Sequence, residues 1–127
     1  QVVRDCDRFE ANARNLMMPP DVAVRSFANG DVRAIWLDTI EPACCSSHLM
    51  VTYWMPELST EFCALVSGDG GLGFSGLDMS NLQAQYDPAT GLTLSLLAGR
   101  YDGMGSVMSQ LSVTINRATG TVKVTHD

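Results

Sequence analysis

Residues 82–96 read LQAQYDPATGLTLSL, and residues 111–125 read LSVTINRATGTVKVT. Each holds an [Asp/Asn]-x-Ala-Thr-Gly turn, at residues 87–91 and 116–120. Asp or Asn opens such a turn by bonding its own backbone, and Gly takes the left-handed position that closes it. The flanks have a period of two. Leu82, Ala84, Tyr86, Leu92, Leu94 and Leu96 alternate with Gln83, Gln85, Thr93 and Ser95. Leu111, Val113, Ile115, Val122 and Val124 alternate with Ser112, Thr114, Lys123 and Thr125. One face is apolar and one is wet, so both stretches are antiparallel hairpins. Two copies are too few for a solenoid.

Upstream, the same period runs from residue 22, where Val22, Val24 and Ser26 alternate with Ala23, Arg25 and Phe27. Asn29-Gly30 is a hairpin dipeptide, because a type I′ turn needs positive φ at both central positions. Residues 31–40 carry apolar groups on both faces, which suits a strand buried on both sides. A loop is expected over residues 41–47, then strands over 48–55 and 62–66. Residues 68–76 hold five glycines and read as a flexible loop. Near the start, Cys6, Phe9, Ala13 and Leu16 recur at spacings of three, four and three, which predicts a helix over 4–18 that Pro19-Pro20 ends. The expected fold is mainly β with one N-terminal helix (α+β), a single domain over 1–127. Its helix packs on an antiparallel meander of seven or eight strands over 22–126, curled or closed into a small barrel.

Composition narrows the partners. The net charge is −6 and Lys123 is the only lysine, so no cationic stripe is present to displace phosphate counterions. Nucleic acid and anionic membrane surfaces are disfavoured, and the acidic balance fits solubility or a basic partner. No apolar run is long enough to insert in a membrane as a helix. The four cysteines, Cys6, Cys44, Cys45 and Cys63, are an even count in a short chain that begins at Gln1 rather than Met. They predict structural disulfides in a periplasmic or secreted protein with a processed or trimmed start. The favoured connectivities join Cys6 and Cys63 separately to Cys44 and Cys45, stapling helix and strand to one loop.

No catalytic motif is complete. Gly71, Gly73 and Gly76 match G-x-G-x-x-G, but residues 77–86 make a poor helix and no acid stands about twenty residues on. A calcium turn of the G-G-x-G-x-D kind would need an acid where Ser75 stands, and a nucleophile elbow around Ser75 would need glycine where Leu77 stands. A hydrolase would draw on His48 with two acids and a hydroxyl. A soft-metal site would draw on His48 and Met50, which share a strand face. Neither pattern is developed enough to assign catalytic residues, a metal or a cofactor. The residues placed where loops carry function are Ser67 and Asp69, then Tyr101 and Asp102 in a second glycine-rich loop.

In size, acidity, disulfides and β-content the chain resembles the bacterial periplasmic lysozyme inhibitors, small β-barrels that block a basic enzyme's cleft with a loop. Of their Ser-Gly-x-x-x-x-Tyr loop motif, Ser67-Gly68 is present and Gly73 stands at the tyrosine place. The resemblance implies an inhibitor of a secreted basic hydrolase such as lysozyme. The residues themselves lead to a broader expectation: a non-catalytic extracytoplasmic module that binds a protein or small molecule through loops or a barrel mouth.

Overall fold

The computed structural model describes residues 1–42 and 44–127; Ala43, inside the loop expected over 41–47, lies outside them. Among the described residues nine strands form two antiparallel sheets. The five-stranded sheet has the order β1-β5-β4-β3-β2, with β1 Val2–Arg4, β2 Val24–Phe27, β3 Val32–Asp38, β4 Ser47–Met55 and β5 Thr60–Ser67. The four-stranded sheet runs β6 Gln83–Asp87, β7 Gly91–Tyr101, β8 Ser106–Asn116 and β9 Thr121–His126.

Both hairpins read from the repeated turn are present. Asp87 Oδ1 accepts the Ala89 amide at 2.8 Å, and Asn116 Oδ1 accepts those of Ala118 and Thr119 at 3.0 and 3.2 Å. Gly91 and Gly120 have φ of 109° and 74°. Strands β2 to β5 are antiparallel neighbours in sequence order, as are β6 to β9, so the expected single meander of seven or eight strands is instead two four-stranded ones. They do not close into a barrel. The chain leaves hairpin order between β5 and β6, where residues 68–82 cross from one sheet to the other. Each sheet has one continuous apolar face, and the two faces cover each other. Val32, Ala34, Leu49, Val51 and Val66 from one sheet meet Leu94, Leu96, Leu111, Val113 and Ile115 from the other, with Phe74 and Met79 of the crossing segment between them.

The expected helix over 4–18 is absent. Residues 2–4 form an edge strand on β5, pairing Val2 with Ser67 and Arg4 with Leu65. Within 4–18 only Ala13–Asn15 makes a 3₁₀ turn, and among the described residues the one α-helix is the four-residue α1, Pro20–Ala23. Short polar side chains bond the backbone where a helix would need it. Asp5 Oδ1 accepts the Asp7 amide, Asn12 Oδ1 accepts the Arg14 amide, and Asn15 Nδ2 donates to the carbonyls of Phe9 and Glu10. Phe9, assigned to the buried stripe, is exposed. Residues 5–18 instead form a strap over the outer face of the five-stranded sheet, rejoining it where Leu16 bridges Leu37 and Met17 N–H reaches the Trp36 carbonyl.

The cysteine pairing also differs from expectation. Cys6 bonds Cys63, with Cα atoms 5.9 Å apart, and Cys44 bonds Cys45. The β1–β5 register explains this. Arg4 lies opposite Leu65, so two residues further on Cys6 arrives opposite Cys63. Cys44 and Cys45, in the loop between β3 and β4, are left to each other. Two disulfides favour an oxidising environment. Among the described residues no helix is long and apolar enough to cross a membrane.

Two substitutions separate backbone conformation from crowding. A Cβ on Gly91 would lie 2.3 Å from the Ile115 carbonyl oxygen, whereas one on Gly30, also at positive φ, meets nothing. Urea titration is expected to show Gly91→Ala costing about 2 kcal/mol or more and Gly30→Ala about 1 kcal/mol. Equal costs would mean that the cross-strand contact at Gly91 is not tight. Replacing Cys6 and Cys63 by alanine reopens a loop of 57 residues and is expected to cost about 4 kcal/mol. The same change at the adjacent pair Cys44 and Cys45 reopens almost no loop and is expected to cost far less.

Candidate functional site

The polar centre of the molecule lies under the strap. Counting outward from the β4–β5 turn, His48 falls opposite Ser67, one step beyond the Leu49–Val66 pair. Their side chains share the outer face of the sheet, and His48 Nδ1 and Ser67 Oγ are 2.7 Å apart. Arg4 arrives on the same face from β1. Its Nη2 donates to Ser67 Oγ at 3.0 Å and to the Gly71 carbonyl at 3.1 Å, and stands 3.5 Å from Glu10 Oε2. Glu10, on the strap, closes the group from above. Ser67, His48 and Glu10 are all buried.

Arg4 only donates, so Ser67 Oγ accepts from it. The hydroxyl keeps one hydrogen and a second lone pair for His48 Nδ1, so it donates to one neutral tautomer and accepts from the other. Protonation fixes Nδ1 as a donor toward the oxygen that Arg4 also faces. Burial is the largest cause holding the His48 pKa below the usual 6.5; Glu10 opposes it and Arg4 adds to it. Arg4 Nε is buried with no hydrogen-bond partner among the described residues.

A hydroxyl beside an imidazole is the start of a nucleophilic site. Here the hydroxyl is wholly shielded from solvent, at 0% exposure, and a guanidinium caps it, so no substrate carbonyl reaches it in this conformation. The chemistry this arrangement performs is to fix the strap and β1 to the sheet. Met50 lies on the same outer face as His48, but His48 Nδ1 is already engaged by Ser67. Among the described residues no group of three or more His, Cys, Asp or Glu side chains is placed to hold a metal ion.

The four residues read as loop-borne binding groups separate. Ser67 belongs to the buried group. Asp69, Tyr101 and Asp102 lie at the end of the sandwich where residues 68–73 adjoin the β7–β8 hairpin. Asp69 Oδ2 is 4.0 Å from Arg100 Nε, and its other oxygen takes the terminal amine of Gln1. Asp102 Oδ1 accepts the amides of Met104 and Gly105, both at 2.9 Å, and Tyr101 Oη donates to the Gly103 carbonyl. Both aspartates are held below the usual carboxylate pKa, Asp69 by the Gln1 amine and Asp102 by those backbone amides. His126 packs edge-on against Phe74 and donates from Nε2 to the Ala98 carbonyl; burial is the main cause lowering its pKa.

Sequence reading missed Arg4 and Glu10, because both were placed on a helix. The His48–Ser67 pairing was available by counting from the Pro56 turn. No known family matches the chain, and neither the curated proteins nor the solved structures include a match.

The folded protein takes up a proton at His48 and His126 less readily than the unfolded chain does. Their contribution is complete above about pH 6.5 and is lost as pH falls through the lowered folded values. Urea midpoints measured from pH 8 to 5 are therefore expected to decline on the acid side. His48→Asn keeps an acceptor near the Nδ1 position and does not titrate. It is expected to lower stability at neutral pH and to flatten part of that decline. An unchanged slope would show that His48 is not a titrating group behind it.

Proposed function

We propose that this domain is a non-catalytic binding module of an oxidising extracytoplasmic compartment, periplasmic or secreted, and that it engages a protein through the tip of the β7–β8 hairpin. One observation carries the reading. The two longest strands run past β6, which pairs only as far as Ser95, and β9, which pairs only as far as Leu111; the crossing segment borders β7 as far as Gly99, and the ribbon projects beyond it. Their tip displays Tyr101, Met104, Val107 and Met108 to solvent, with Met104 95% exposed. Leu72, in the adjoining loop, is exposed as well. Apolar side chains gathered on a projecting ribbon are characteristic of an interaction surface.

The net charge supports a basic partner. The chain as a whole carries −6, and Asp102 at this end stays ionised to low pH with no ion pair among the described residues, whereas Asp69 is matched by Arg100 and the Gln1 amine. An inhibitor of a secreted basic hydrolase such as lysozyme is the specific version. It draws on the projecting hairpin and the acids rather than on Ser67-Gly68, because Ser67 is enclosed under Arg4.

The test is direct binding to, and inhibition of, c-, g- and i-type lysozymes. Association at about micromolar affinity or better is expected for at least one of them, weakening with salt. The Tyr101→Ser, Met104→Ser double variant is expected to lose it without a change in melting temperature. No association with any of the three ends the basic-hydrolase version. Association that the double variant retains moves the interface off the hairpin.

A further inference from the structure

At the opposite end from the hairpin tip, the turns β2–β3, β4–β5, β6–β7 and β8–β9 surround a cleft of about 640 Å³. It opens between the two sheets. Its floor is core: Val32 and Ile115 are fully buried, and Leu92 is half-buried. Pro56 and Pro88 add apolar walls.

Tyr86 marks the cleft as unfilled. It pairs across the strands with Leu92 and lies on the same side of its sheet as Ala84 and the buried Leu94, the side that faces the core. Yet it is 69% exposed. A large ring on a core-facing position with nothing over it leaves apolar surface in water, which a ligand would cover.

The polar rim sets the sign of that ligand. Arg117 lines the cleft, but its Nη1 is held by Asp31 Oδ2 at 3.0 Å and by the Trp54 carbonyl at 3.1 Å, so its charge is matched. Glu57 also lines the cleft, and among the described residues it takes part in no ion pair. The rim is therefore net anionic beside an exposed aromatic ring, the pairing that attracts an organic cation.

We propose that this cleft binds a small amphipathic cation, with an apolar body on Leu92, Pro56 and Pro88 above the Val32 and Ile115 floor and an ammonium group near Glu57 and Tyr86. The proposal is separate from the hairpin reading, since the two surfaces share no residue. The volume suits a small molecule of this kind.

Methyl NMR of Val32, Leu92 and Ile115 tests it, with phenethylamine as the cation, 2-phenylethanol as its neutral counterpart and 3-phenylpropionate as the anion. The cation is expected to shift all three residues' methyls in a saturable way below about 10 mM and to bind more tightly than the other two. Glu57→Gln is expected to weaken the cation roughly threefold and leave the alcohol unchanged; Tyr86→Ala is expected to weaken both. Both residues are exposed, so the variants keep the fold. No saturable shifts with any probe, or tighter binding of the anion, would overturn the proposal. So would shifts confined to methyls outside the cleft.

Discussion

Each of the two sheets has a face that cannot stay in water. In the four-stranded sheet that face is Leu94, Leu96, Leu111, Val113 and Ile115, every one almost wholly buried. A sheet with one apolar side finds cover either by curling on itself or by lying on another such sheet. Here the crossing segment after β5 supplies Phe74, Leu77, Met79 and Leu82 to the space between sheets, so the layered solution fills the core. The projecting hairpin and the open cleft at the far end are both places where this cover runs out.

The five-stranded sheet has a second problem, because its outer face also carries apolar groups. Leu37 and Leu65 are buried there together with His48 and Ser67. The strap shields them, and what holds the strap is polar and covalent rather than apolar: one disulfide, one short bridge and the group around Arg4. Buried charge is costly unless every member has partners, and this group is nearly complete. Arg4 touches β5, the strap and the glycine loop at once, so a single side chain joins three parts of the fold.

What could be read in advance was local. The two Asp/Asn-x-Ala-Thr-Gly turns state their geometry within five residues, and the alternating strands beside them need no further information. The strap was misread because Cys6, Phe9, Ala13 and Leu16 satisfy a helical spacing while Asp5, Asn12 and Asn15 bond the backbone in ways that spacing ignores. The Cys6–Cys63 bridge and the Arg4–Ser67 contact depend on β1 finding β5 more than sixty residues away. Nothing in a three-residue strand announces its partner. The open cleft was illegible for a related reason: Tyr86 reads as one more core position, and only the packing leaves it bare.

The placement of β1 bears on the order in which the molecule assembles. Strands β2 to β5 and β6 to β9 each pair with a neighbour in sequence, so both sheets can form by zipping outward from short turns. The β1 strand alone waits for an edge that exists only once β5 is in place. Until it docks, β5 presents a free row of backbone donors and acceptors, open to another chain. The first four residues thus act as a built-in edge guard, and the cysteine just behind them ties that guard in place.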